Sequence, residues 1–290
     1  MTRNKLSSPI SVKGDLTSLP TQDLLPETRR VLDTLTRPYP NLSTDTPTEV
    51  TAEEFINAYK HVEDQTSSSP SSRLFGHYKA IVDDPTIVNL HSTMMTLSFK
   101  HGIVPDRWSK VTDIMLRKDA DTTRCHRLRI IALFESDLNQ AKRILIGRQL
   151  LHHMEDNKLN NTMQYSSRPA QPCQSAVLQK FLAHEISHMS KNPSGFIEND
   201  AIGCYDRITN NLALLLLQRL SFAVSVCKYL GTLWDNTIHL IKTAYGTSKI
   251  TSKSMASTPL FGPGQGSTTG PPFWLIIFFA ITESLDPLLS

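Results

Sequence analysis

The sequence predicts an α+β fold, mostly helical with one small antiparallel sheet. Three observations carry this. Long stretches place apolar residues at helical spacing, chiefly Thr86–His101, Asn139–His153, Ser175–Ser190, Asn211–Tyr229 and Leu230–Tyr245. Two short runs, Trp108–Leu116 and Leu128–Phe134, are rich in β-formers and joined by a basic linker, as a hairpin requires. The 290 residues are 39% hydrophobic and 20% charged, a balance that supports a buried core and excludes wholesale disorder.

Taken in order, the first 70 residues hold seven of the 17 prolines, 19 Ser or Thr and one Gly. Residues 1–68 therefore read as a partly disordered N-terminal extension. Two short helices interrupt it. One lies near Asp23–Thr36. The other is Ala52–Glu63, with Thr51 as cap and Glu54 at the capping-box position. Thr66–Ser72 reads as a loop, followed by a helix over His77–Val82. After the hairpin come the helices Asn139–His153 and Ser175–Ser190, both amphipathic. Gly195–Asp200 reads as a short strand ending in an acid. Lys249–Ser254 reads as an exposed strand. A Gly-rich turn, Gly262–Gly270, leads into a final helix with Pro271 and Pro272 near its first position, where Pro is tolerated.

Composition excludes several classes. Thirty Lys and Arg against 27 Asp and Glu give +3, too weak a bias to argue for nucleic acid alone. The charge is segregated, however. Arg107–His153 holds ten Lys and Arg against five Asp and Glu, a local +5 over a remainder of −2. The four Cys form no CxxC pair, which points to free thiols in a reducing, intracellular compartment. The opening MTRNKLSSPI has no apolar core for a secretory leader. The longest apolar run, Phe273–Ile281, has nine residues and is too short to span a bilayer, so no membrane partner is expected.

Three features could carry chemistry. The first is Phe196-Ile-Glu-Asn-Asp-Ala-Ile-Gly-Cys-Tyr-Asp-Arg-Ile208. An Asp ending a strand points beyond the sheet and can hold a divalent cation. Tyr205 could wall a sugar pocket, and Asp206 could cap the helix behind it. Alone, the segment reads rather as an Asp turn after an edge strand. The second is Phe261-Gly-Pro-Gly-Gln-Gly-Ser-Thr-Thr-Gly-Pro-Pro-Phe-Trp274. Its glycines let the backbone approach a ligand. Ser267 stands where the dinucleotide fingerprint needs Gly, and no Lys is present for a P-loop. Alone, it reads rather as a surface turn before a hydrophobic helix. The third is the pair Lys118 and Arg129 at the rim of the hairpin, cations that suit polyphosphate or a nucleic-acid backbone.

From about Ser69 onward these features occur in an order that resembles a reverse transcriptase of non-LTR retrotransposons. SSPSSRLFGHYKA resembles the loop and helix before the fingers. PDRWSKVTDIMLRKD and RLRIIALFESDLNQAKRILIGRQL resemble the two finger motifs. MQYSSRPAQPCQSAVL resembles the segment that follows, FIENDAIGCYDRI the first catalytic palm motif and GPGQGSTTGPPFW the Gln-Gly motif. The resemblance implies a right-hand polymerase, with a fingers region at 69–195 and an incomplete palm at 196–290. It also implies an RNA-directed DNA polymerase acting on an RNA template, a DNA primer and deoxynucleoside triphosphates with Mg²⁺. Asp200 matches the catalytic metal-binding Asp and Ala201 the backbone carbonyl ligand. Tyr205 matches the steric gate against a ribose 2′-OH. Gln265 and Gly266 match the pair lining the incoming nucleotide and template. Lys118 and Arg129 match the triphosphate-holding cations, and Asp206 a structural Asp.

The departures shape the expected activity. Glu198 and Asn199 replace apolar strand residues, Ile130 replaces a Pro, and Gly270 replaces a Ser. The family's aromatic-X-Asp-Asp motif does not follow the Gln-Gly helix. The one Asp-Asp, Asp83-Asp84, precedes Pro85 far upstream. Two-metal phosphoryl transfer needs more than one carboxylate, so no turnover is expected from residues 1–290. Trp274, Ile277 and Phe278 of the last helix would lack packing partners in such a palm. A non-catalytic nucleic-acid-binding remnant of a retroelement is the alternative. A further rival is a zinc metalloprotease, from His184-Glu185-Ile186-Ser187-His188, an HExxH on a helix. Lys191 stands where the extended form of that motif has Gly.

Overall fold

A computed structural model describes residues 25–37, 39, 42, 46–66, 71–118, 128–160, 164–165, 167–168, 170–193, 203–254, 260 and 262–289. The loop expected at Thr66–Ser72 lies partly, and the strand expected at Gly195–Asp200 wholly, outside them.

Local chemistry sets the first helices. Helix α1 (Pro26–Thr36) starts with Pro in its first turn. Helix α2 (Ala52–Tyr59) carries the expected capping box. The Thr51 hydroxyl accepts from Glu54 N at 3.1 Å, and the Glu54 carboxylate accepts from Thr51 N at 2.9 Å. Its buried side chains are Phe55, Ala58 and Tyr59. After the short α3 (Phe75–Lys79) comes α4 (Pro85–His101), whose Asp84 carboxylate accepts from Thr86 N and Ile87 N.

A single-turn helix over Asp106–Ser109 leads into β1 (Lys110–Arg117), so Trp108 precedes the strand. Strand β2 (Leu128–Leu133) pairs antiparallel with β1, Met115 opposite Ile130. The next helix is one rod in three parts: α5 (Ser136–Lys142), a π-helical turn at Arg143–Arg148, and α6 (Gln149–Asp156). Helix α7 (Cys173–Ser190) follows, then α8 (Asn210–Arg219) and α9 (Val224–Asn236).

Beyond α9 the sequence expectation fails. The apolar stretch taken as one helix, Leu230–Tyr245, leaves the helix at Asn236, and β3 (Ile238–Thr243) begins. Its Ile-His-Leu-Ile-Lys-Thr run suits a pleated surface, and an open edge of β1 receives it. Asn211–Tyr229 likewise divides, with Ser221 at φ 59° in the break. Strand β4 (Gly246–Lys253) returns antiparallel to β3. The sheet order is β2-β1-β3-β4, and β1 runs parallel to β3. The sheet is therefore mixed, not antiparallel as expected. A parallel pair needs a long crossover, here the helices between β2 and β3, and a local sequence window does not reveal it.

Helix α10 (Gly270–Leu289) closes the fold. Its Phe273, Ile276, Ile277 and Phe279 are buried, and it packs on α1 and α8. Ile277 thus has the partners it was expected to lack, and α1 supplies part of them. One apolar cluster runs from Leu35, Val50 and Phe55 to Phe273 and Ala280. It joins the described N-terminal residues to the two ranges that the sequence separates at 195/196. The Phe99 and Tyr229 rings meet at 4.0 Å near its centre, and Trp108 abuts Tyr229 edge-on at 6.4 Å.

Candidate functional site

The Gly-rich turn is held from two sides. The Gln265 carbonyl accepts from Ala132 N of β2 at 2.7 Å, extending that strand's pairing. Asn139 of α5 clamps the other side. Its amide donates to Gly266 O at 3.0 Å, its side-chain oxygen accepts from Thr268 N at 2.9 Å, and its backbone carbonyl accepts from the Thr268 hydroxyl at 2.6 Å. Lys142, one turn further on, donates to the Ser267 hydroxyl at 2.9 Å. Two glycines make the approach possible. Gly262 has φ +87°, and a Cβ there would lie 2.1 Å from Tyr205 O. Gly266 has φ +114°, and a Cβ there would lie 2.5 Å from Ala132 O.

Tyr205 stands in a short turn, Tyr205–Arg207. Its ring is half-buried, 3.5 Å from where a Cβ on Gly270 would project, so it lies against the start of α10. The carboxyl of Asp206 beside it is raised above the ordinary Asp value. Desolvation is the main cause and the charge of Asp113 adds to it, while Arg207 and Lys118 oppose.

The sheet face under the turn forms a pocket of about 390 Å³. Asp113, Ile130, Trp234, His239, Asp206 and Gln265 are among its walls. Alternation explains the set: Asp113 and its cross-strand partner Ala132 point to one face, together with His239, whose partner is Val111. Across the parallel pair the Asp113 carboxylate lies 2.9 Å from His239 Nδ1. The mix of apolar walls and a few convergent polar groups is that of a small-molecule site.

The structure thus brings Tyr205, Gln265 and Gly266 together with the end of β2. Lys118 is exposed at the end of β1, within electrostatic reach of Asp206. Arg129, exposed and opposite Leu116, falls on the other face of the sheet from the pocket. Asp200 and Ala201 lie outside the described residues, so no chemistry through Mg²⁺ is derived from the structure. Asn139, Lys142 and the Asp113–His239 pair carried no sequence signal. The first two share a helix face, but their partner is a turn more than 120 residues away in the sequence.

His184, Glu185 and His188 all lie on α7, with the His184 and Glu185 side chains 64% and 65% exposed. Among the described residues no group of three His, Cys, Asp or Glu is placed to hold a metal ion. Nor is any described helix long and apolar enough to cross a membrane. No protein-family model matches the chain, and no curated protein matches it in sequence.

Proposed function

We propose that the chain is a reverse transcriptase domain derived from a non-LTR retrotransposon, an RNA-directed DNA polymerase by family. In this reading it binds a template–primer and a deoxynucleoside triphosphate through the face built from β1, β2 and the Gly-rich turn. The observation that carries it is the convergence of motifs far apart in sequence. The Gln265–Gly266 turn is hydrogen-bonded to Ala132 of the second finger motif, and Gly262 closes on Tyr205 of the palm motif. A chance succession of family-like segments has no reason to meet in space.

The roles follow from the side chains. Lys118 holds phosphates, Tyr205 walls the sugar, and Gln265 with Gly266 lines the nucleotide and template, whereas Arg129, on the opposite face of the sheet, is not part of this surface. Asp200 and the Ala201 carbonyl would hold Mg²⁺, which would supply charge neutralisation at the phosphates. Two-metal transfer also needs the carboxylates of an aromatic-X-Asp-Asp, which residues 1–290 do not contain.

Two measurements test this. Fluorescence anisotropy with an RNA–DNA hybrid is expected to show binding that weakens steeply with salt. Lys118→Ala should lower the salt slope by about one. Primer extension with Mg²⁺ should yield no product. Absence of binding at low salt would overturn the reading, and template-dependent synthesis would overturn the expected lack of turnover.

A further inference from the structure

A cavity of about 510 Å³ opens between the residues just before α3, α3 itself and the start of α4. Among the described residues no Asp or Glu lines it, and its polar walls are Ser72, Arg73, His77, Tyr78 and His91. These walls offer donors. His77 Nδ1 accepts from Leu74 N at 2.9 Å, so the neutral ring carries its proton on Nε2. The Arg73 guanidinium has donors only, and it forms no ion pair among the described residues. Ser72 adds a hydroxyl. Polar capacity is also left over in the wall. The Tyr78 hydroxyl and His91 Nδ1 are buried with no hydrogen-bond partner among the described residues. Burial pushes the Tyr78 hydroxyl up to about 12, so it stays protonated, and lowers the His91 ring, so it stays neutral.

The donors are held in place. The Ser71 hydroxyl donates to Glu135 at 2.8 Å, and the Ser136 hydroxyl donates to the Arg73 carbonyl at 2.8 Å. Between these two latches Ser72 keeps a left-handed backbone, φ 57°, which a non-Gly residue holds only where its surroundings enforce it. The acids close by are already occupied. The Glu135 and Asp137 side chains are 1% and 0% exposed and bound by Arg107, and Asp84 caps α4.

We propose that this cavity binds a phosphate group carried on an organic body, held by the Arg73 guanidinium and His77 Nε2–H. A planar carboxylate would be filled by the Arg73 fork alone. Donors from separate side chains suit a tetrahedral oxyanion, whose oxygens each take their own partner. The volume asks for more than a bare ion, and Ile81 and Ile87 give the rest of the ligand an apolar wall. None of the residues lining this cavity lines the pocket under the Gly-rich turn, so the inference stands apart from the polymerase reading.

Isothermal titration calorimetry on the full chain at fixed ionic strength tests the proposal. The probes are AMP, adenosine, inorganic phosphate and an oligo(dT) without terminal phosphates. AMP or oligo(dT) should bind, with adenosine and inorganic phosphate each at least about tenfold weaker than the better of the two. Tighter AMP identifies a free nucleotide as the source of the phosphate, and tighter oligo(dT) a nucleic-acid backbone. Either supports the site when Arg73→Ala and, independently, His77→Ala weaken it by about tenfold or more. Arg73 is exposed, so circular dichroism of its variant should show an unchanged fold. Lys249→Ala, at an exposed lysine of β4, should change nothing. Binding of both probes that ignores Arg73→Ala would overturn the proposal. So would adenosine that binds as well as AMP and oligo(dT), or a loss on Lys249→Ala equal to that on Arg73→Ala.

Discussion

Lys142 holds its ε-amine 2.9 Å from the Ser267 hydroxyl and 3.7 Å from the centre of the Phe134 ring, in a site almost closed to water. It links the helix after the hairpin to the Gly-rich turn. The Ser267 hydroxyl is in turn 2.8 Å from that of Thr269. The amine thus meets one hydroxyl, itself bonded to a second, and an aromatic face. Burial pushes the amine down from 10.5 to about 7.

The sign of the consequence follows from that direction. The unfolded chain takes up the Lys142 proton as pH falls through about 10.5, whereas the folded chain takes it up only near 7. Stability from this group is therefore lost between pH 10.5 and 7 and is flat below. Lys142→Met should remove that slope and stabilise the protein at pH 7 by on the order of 2–4 kcal/mol, after allowing for the lost contact with Ser267. Urea unfolding from pH 6 to 10 measures both effects. A less stable variant with the slope intact would show that the amine is not held as described.

The turn itself tolerates little. Gly262→Ala drives a methyl group into the Tyr205 carbonyl and forces a left-handed backbone on Ala. A loss of about 2–4 kcal/mol is expected, with weaker nucleic-acid binding. Gly231→Ala should go the other way. Gly231 lies inside α9, and its new Cβ would meet Leu214 Cδ1 at an ordinary 3.5 Å. A gain of about 0.5–1 kcal/mol is expected there from helix propensity. Thermal melts of the two variants should move in opposite directions.

How much of this was legible in the sequence depended on distance along the chain. The Thr51–Glu54 capping box rests on contacts within three residues, and the two hairpin strands pair across one linker, and both were readable. The strand Ile238–Thr243 was not, because its partner Lys110–Ile114 lies in another part of the sequence. Its apolar residues also satisfy a helical window equally well. The site divides the same way. Gln265, Gly266 and Tyr205 stood out through their motifs. Asn139, Lys142 and the Asp113–His239 pair acquire a role only once the sheet and the turn are assembled.

Asp137 is a buried hub for the hairpin's approach. Its carboxylate accepts from Arg107 through both terminal nitrogens, from Trp108 Nε1 at 3.0 Å and from Leu138 N at 3.0 Å. Arg107 also reaches Glu135, which accepts from Ser71. Asp137→Ala leaves the guanidinium and the indole N–H without their main acceptor. A cost of about 3–5 kcal/mol is expected, read as a lower urea midpoint and as a change in the near-ultraviolet signal of Trp108. An unchanged midpoint would mean that water replaces the carboxylate without penalty.

A second ion pair, with Arg219 buried and Glu283 partly exposed, ties the residue after α1 to α10. Arg219 of α8 binds Glu283 of α10 in a fork, at 2.8 and 2.9 Å, and donates through Nε to the Arg37 carbonyl at 2.7 Å. The Tyr39 hydroxyl donates to the same carboxylate at 2.8 Å, and its ring lies under the guanidinium at 4.6 Å. Burial, then Glu283, raises the Tyr39 hydroxyl well above its usual value, so it remains a donor across the working pH range. Arg219→Lys keeps the charge but cannot reproduce the fork. It should cost about 2–3 kcal/mol, and Glu283→Gln a similar amount. Replacing both partners with apolar residues, Arg219→Met with Glu283→Leu, should recover most of the loss, because no buried charge is left alone. A double-mutant cycle gives the coupling directly. Additive losses would mean that the fork contributes nothing beyond its two separate side chains, and that α1 is held to α10 by apolar packing alone.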